Sequence, residues 1–185
     1  MTNLVALPRA LLDGLAAEAR SAAWFANLGE PPSDEDRAEA KSYAERLALG
    51  PLELACVRDW PAAETTMKAP DWTTAWWDRE EALRRSLLAK AGERFPERVL
   101  WAGLTELTTE VGDFVHAKAA AAAGRMGGAA TASIHVAAGA AAHAVYQLAL
   151  ARLAKDGASP FESKFRMFED GRWPLGVVGS RLVVF

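Results

Sequence analysis

Cysteine is almost missing from this chain: Cys56 is the single thiol among 185 residues, which excludes an internal disulfide. A lone thiol with no basic residue directly beside it is typical of a buried structural side chain in a reducing compartment. The net charge is -3, and no stripe of lysine and arginine supplies the footprint of a nucleic-acid-binding surface. The segment 1–20 has no basic region ahead of an apolar core, unlike an export signal. We therefore predict a cytoplasmic protein without a nucleic-acid partner.

Charged side chains are absent from residues 126–151, a run long enough to cross a bilayer. The run consists mostly of alanine and glycine and contains two histidines, whereas histidine is rare within membranes. A weakly apolar helix of this kind suits the centre of a soluble protein. We therefore predict no membrane partner.

Hydrophobic residues make up 51% of the sequence, which is enough to build one core within a single domain spanning 1–185. Proline, glycine and capping residues divide the chain into helices at about 8–28, 33–47, 73–94, 96–123, 130–155 and 159–171. The sequence predicts an all-α bundle of about six helices. The two longest form a central antiparallel helix hairpin, and a small β-hairpin turns at Gly179 and Ser180. Residues 158–185 are expected to form an appendage of one short helix plus that hairpin.

Acids and a histidine recur at three-residue spacing on the first long helix, at Glu110, Asp113 and His116. Antiparallel pairing of the two long helices would bring these groups level with the histidines of the second one. Carboxylate and imidazole groups that project inward from neighbouring helices can hold a divalent ion, here Mn, Fe, Zn or Mg. The candidate metal ligands are Glu110, Asp113, His116 and His143, with His135 and Tyr146 as residues that support them.

The same helix also allows a purely structural interpretation. Its apolar side chains form one stripe, and Glu106, Glu110 and Asp113 fall almost opposite that stripe. On this interpretation the carboxylates simply face water, and no site forms.

Tryptophan is concentrated in residues 58–78, which hold four of the seven in the chain. Trp72 and Trp76 are four residues apart and would share a helix face with each other. These rings either fix an irregular connection onto the core or form an aromatic wall for a partner, because tryptophan is enriched at contact surfaces. The candidate interaction residues are Trp72, Trp76 and Trp77.

The stretch EVGDFVH, residues 110–116, is similar to the second half of the acid motif in all-α nucleoside triphosphate pyrophosphatases of the MazG type. The resemblance implies that Glu110 and Asp113 bind magnesium. It also implies that Glu80 and Glu81 form the first half of the motif on an earlier helix. In this chain Arg84 stands where the third glutamate of that earlier helix belongs.

Together these features favour a non-catalytic interaction or accessory protein that contacts a protein partner, or a second copy of itself, through the Trp-rich segment or the C-terminal hairpin. The alternatives are a metal-dependent enzyme that uses the carboxylate and histidine cluster, or a divergent pyrophosphatase of the family above.

Overall fold

The computed structural model describes residues 7–185, so the first six residues of the segment compared with an export signal lie outside it. The described elements are α1 Arg9–Ser21, α2 Asp34–Arg46, β1 Glu53–Cys56, α3 Trp60–Met67, β2 Trp72–Thr73, α4 Ala75–Gly92, α5 Glu97–Arg125, α6 Thr131–Leu153, α7 Pro160–Glu169, β3 Pro174–Val178 and β4 Arg181–Val184. The prediction of a mostly helical protein is confirmed, and a small sheet of four strands accompanies the helices.

Local capping signals explain where several helices begin. Ser33 accepts a hydrogen bond from the backbone of Asp36, and the Asp36 side chain accepts one from the backbone of Ser33, which completes a capping box before α2. Asp59 accepts from the Ala62 amide at the start of α3, and Ser159 precedes the first-turn proline of α7. These signals are local in sequence, and the predicted starts of α2 and α7 match the observed ones closely.

The first predicted helix is shorter than expected because it ends at Ser21 and not near residue 28. Phe25 adopts a positive φ of 60°, which a continuing helix does not allow. The buried rings of Trp24 and Phe25 turn inward and pack on Phe168 of α7, with centroid distances of 5.4 and 6.0 Å. Aromatic burial therefore replaces the last two helical turns predicted from the sequence.

Helices α5 and α6 are the longest and pack along each other, joined by residues 126–130. Alanines on both helices are fully buried where they meet, which allows close backbone approach. Among residues 7–185, α6 is the one helix long and apolar enough to cross a membrane, and 56% of its most apolar window is buried within the protein. That degree of burial fits the core helix of a soluble protein.

The sheet has the strand order β1-β4-β3-β2. Strands β3 and β4 pair in antiparallel register, β1 runs parallel to β4, and β2 runs antiparallel to β3. The two C-terminal strands are therefore the centre of a sheet, whereas the sequence predicted them to form a hairpin without further strands. The edge strands are β1 and β2, where the sequence predicted no strand.

The C-terminal segment 158–185 contributes large buried side chains to the core. Phe161 and Phe168 of α7 are fully buried, and so is the terminal Phe185. The Phe185 ring meets Trp60 edge-on at 5.2 Å. Burial of these large rings holds α7 and the sheet against α3 and α6.

Candidate functional site

One face of the protein gathers its exposed large apolar side chains. Within residues 7–185 these are Trp101, Val136 and Trp77, with exposures of 52%, 50% and 44%. Trp77 and Val136 border a depression of about 520 Å³, and Trp101 borders a second one of about 490 Å³. Gly139 and His143 of α6 line both depressions. We call this surface, defined by Trp77, Trp101, Val136, Gly139 and His143, the aromatic face. Clustered exposed apolar groups of this kind mark binding sites more often than scattered ones do.

Trp173 and three further tryptophans that contact one another line the larger depression. Trp72 meets Trp76 edge-on at 6.0 Å, and Trp76 meets Trp77 edge-on at 5.8 Å. The backbone of Gly176 in β3 lies directly against the first two rings, so a Cβ there would come within 2.9 Å of both. The Nε1 atoms of Trp72 and Trp76 are buried and have no hydrogen-bond partner in the described structure. Strand β2 and the start of α4 thus hold the three rings as one wall.

His143 lies at the ridge between the two depressions, in a stack of three rings. Its ring is 5.8 Å from that of Trp77 at an angle of 21°, and 5.8 Å from that of Tyr146 at 22°. Burial, together with the positive charges of Lys164 and Arg84, lowers the pKa of His143 to about 4. The imidazole is therefore neutral at pH 7 and adds no charge to the face.

The smaller depression contains one guanidinium whose charge is already matched. Arg84 donates to Glu81 at 2.6 and 2.7 Å and to the Tyr146 hydroxyl at 3.3 Å. Because an arginine fork paired to a carboxylate in this way has its charge balanced, the depression has no unmatched arginine available to an anion. Trp101 borders the same depression from α5.

A buried polar network lies beneath the larger depression and joins four helices. Both oxygens of Glu80 accept from Lys164 Nζ at 2.8 Å, and Glu80 also accepts from Tyr43 at 2.6 Å and Gln147 at 3.2 Å. Lys164 Nζ donates to Gln147 Oε1 at 3.0 Å as well. All three N–H donors of the ammonium are thus engaged within the protein. Lys164 therefore lines the bottom of the depression with its charge balanced by Glu80, and it offers no free amine.

The pKa values of this network follow from its burial and pairing. Burial alone would raise the pKa of Glu80, but the charge of Lys164 and the three hydrogen-bond donors outweigh it, and the pKa is lowered. Burial and the neighbouring Glu80 carboxylate raise the pKa of Tyr43 well above its ordinary value. The ionised pair with a neutral tyrosine is therefore the stable state at neutral pH.

The four predicted metal ligands are not brought together. Glu110 is exposed and forms an ion pair with Arg20 of α1, and Asp113 is exposed. His116 lies beside His135, with ring centroids 4.9 Å apart. His143 stacks with Trp77 on the aromatic face, as described above. Over residues 7–185 the structure holds no group of three or more His, Cys, Asp or Glu side chains that could bind a metal ion.

The geometry of α5 accounts for this difference from the sequence prediction. Val111 and Val115 are the buried residues of this stretch, whereas Glu110 and Asp113 are exposed, so the two carboxylates do not point into the contact with α6. Glu106 and Glu110 instead meet Arg9 and Arg20 of α1. The structural interpretation of these acids, as water-facing groups, is the one that the observed positions match.

The residues that carry the resemblance to the all-α pyrophosphatases are also engaged elsewhere. Glu80 is paired with buried Lys164, and Glu81 is paired with Arg84. Comparisons with protein-family models, curated proteins and solved structures gave no match for this chain. The resemblance in residues 110–116 therefore stands without support from a family model or from a shared carboxylate cluster.

Of the candidate interaction residues, Trp77 is exposed, Trp72 is half-buried and Trp76 is buried. Two important residues were missed by the sequence analysis, Trp101 and Lys164. Lys164 did leave a signal, because it lies on the α7 face that carries Phe161, Phe165 and Phe168. A lysine within an apolar helix face implies a buried counter-ion, although its spacing cannot say which.

Proposed function

We propose that this protein is a non-catalytic interaction protein that binds an apolar side chain of a protein partner on the aromatic face. The observation that carries the proposal is the position of Trp77, Trp101 and Val136, which border two adjoining depressions. Tryptophan is enriched among residues that dominate binding energy, and such residues cluster around pockets that accept an anchor from the partner.

The size and charge of the depressions support an apolar anchor. Volumes of about 520 and 490 Å³ fall within the range of ligand sites and exceed that of any one side chain. The ionic groups near them are matched in pairs, Lys164 with Glu80 and Arg84 with Glu81. Since His143 is neutral at pH 7, a charged ligand group would lose its hydration without gaining a counter-ion.

The same pairing argues for binding in preference to catalysis. A general base or nucleophile must be free to reach a substrate with its reactive lone pair. Lys164 and Glu80 are held by each other, by Tyr43 and by Gln147. These groups support the walls of the larger depression and do not project into it as reactive groups.

The experiment is a selection of peptides from a random display library against the folded protein. We expect the recovered peptides to share an aromatic or aliphatic anchor. Each should bind Trp77→Asp and Trp101→Asp at least tenfold more weakly than wild type, because the added carboxylate is desolvated at the contact. The matched control is Ala121→Asp, which places the same carboxylate at an exposed position of α5, about 30 Å along the helix from Trp101.

Two results would contradict the proposal. Recovery of no peptide above background would show that the face does not bind such anchors. Peptides that bind all three variants equally would show that the partner uses another surface. Light scattering on the same samples would show whether a second copy of the chain is itself the partner.

A further inference from the structure

Two histidines on neighbouring helices form a pair that the proposed function does not use. His116 lies on α5 and His135 on α6, and their ring centroids are 4.9 Å apart with the planes tilted by 43°. His135 lies near the start of α6, next to Val136 of the aromatic face and about 12 Å along the helix from His143. Each helix contributes one ring.

The hydrogen bonds around the pair leave ring nitrogens free to coordinate. His135 Nδ1 is 2.8 Å from the backbone oxygen of Thr131, and this oxygen can only accept a hydrogen bond. The proton of the neutral ring is therefore on Nδ1, and the Nε2 lone pair of His135 is available. A backbone carbonyl that orients the far nitrogen in this way is the usual support of a metal-binding histidine.

The His116 ring has a nitrogen that lacks a hydrogen-bond partner. His116 Nε2 is buried and has no hydrogen-bond partner in the described structure. Buried polar atoms are nearly always paired, so such an atom calls for an explanation. A bound cation would supply the missing partner.

The separation of the two rings fits a shared ion. A metal–nitrogen bond of about 2.0 Å and a ring radius of about 1.1 Å place each ring centre about 3.2 Å from the ion. At a tetrahedral angle, two such centres lie about 5 Å apart. The observed centroid separation of 4.9 Å is close to this value.

We propose that His116 and His135 form a two-histidine site for a transition-metal cation, which links α5 to α6 while water completes its coordination. Imidazole nitrogen favours Cu²⁺, Ni²⁺ and Zn²⁺, whereas Mg²⁺ and Mn²⁺ favour oxygen ligands. The site therefore differs from the cluster predicted from the sequence, because no carboxylate takes part and Cu²⁺ is the favoured ion. It is independent of the proposed function.

Calorimetric titration of the untagged protein with Cu²⁺, Zn²⁺ and Mg²⁺ tests the proposal. We expect one equivalent of Cu²⁺ to bind more tightly than Zn²⁺, and no heat from Mg²⁺. The affinity for Cu²⁺ should fall at least tenfold in His116→Gln and in His135→Gln. His143→Gln, which removes the remaining histidine of the chain, should bind as wild type does.

The exposed position of His135 keeps the test decisive even if His116→Gln does not fold. Absence of Cu²⁺ and Zn²⁺ binding at millimolar metal would overturn the proposal. Binding that survives His135→Gln would overturn it too, because the ion would then be held elsewhere, for example at the terminal amine. A Cu²⁺ spin-resonance spectrum with splitting from two nitrogens would support the pair, and a spectrum without nitrogen splitting would refute it.

Discussion

Replacement of Lys164 by methionine removes the cation from the buried network and leaves the Glu80 carboxylate without its counter-ion. The side chains of these two residues are 6% and 2% exposed, so water cannot take over the pairing. Loss of one partner from a buried pair typically costs about 3–5 kcal/mol of unfolding free energy. We expect the lower end, about 3 kcal/mol, because Tyr43 and Gln147 still donate to Glu80. For a chain of this length the loss lowers Tm by about 6–12 °C.

Urea unfolding followed by far-ultraviolet circular dichroism measures this loss. The control is Lys41→Met on α2, because Lys41 is 77% exposed and its pair with Glu45 has a separation of 3.8 Å. Such an exposed pair contributes less than about 1 kcal/mol. A loss below about 1 kcal/mol for Lys164→Met would refute the view that this pair holds the floor of the larger depression.

The pH dependence gives a second check on the same variant. In wild type the pKa of Glu80 is lowered, so the pair stabilises the fold above the unfolded pKa, and this contribution disappears as pH falls through the folded pKa. In Lys164→Met burial is opposed only by the hydrogen bonds from Tyr43 and Gln147, so the pKa of Glu80 rises. The variant should therefore gain stability on mild acidification, and its difference from wild type should shrink. A difference that stays constant from neutral to mildly acidic pH would contradict this account.

Two further predictions concern the wall and the ridge of the aromatic face. Gly176→Ala should lower Tm, because Gly176 has a φ of 132° and an added Cβ would lie 2.9 Å from Trp72 and Trp76. The control is Gly112→Ala, which has open space around it and should raise Tm slightly. His143 has a folded pKa of about 4 against an ordinary 6.5, so the unfolded state binds more protons between these values and stability falls as pH is lowered through them. That decline, of about 3 kcal/mol, should be absent from urea unfolding of His143→Gln. Equal Tm changes in the two glycine variants, or an unchanged pH profile in His143→Gln, would count against these assignments.

Elements with local signals were predictable from the sequence. Ser33, Asp59 and Ser159 each cap a helix through a bond to an amide at most three residues later, so the local sequence is enough to locate the start of the helix. Strands β1 and β2 left no such signal. They contain four and two residues, and β1 pairs with residues more than a hundred positions later in the chain.

The candidate site was harder to predict because it depends on which helix faces meet. Helical spacing places Glu110 and Asp113 near His116 along α5, but it does not show that α1 lies over the acids and α6 over the other side. Trp72, Trp76 and Trp77 are close in sequence and do meet, but Trp72 lies in β2 and not on a helix face shared with Trp76, as their spacing had predicted. Trp101 comes from another helix, and only packing brings it to the same face.

The most direct test of the aromatic face uses the indole N–H resonances of the seven tryptophans in a nitrogen-15 spectrum. A peptide recovered by the selection should shift the resonances of Trp77 and Trp101 as it is added. Those of Trp24 and Trp60, which are each 1% exposed, should not move. Saturable shifts confined to the first pair are the result that the account predicts. A bound peptide that leaves Trp77 and Trp101 unshifted would contradict it.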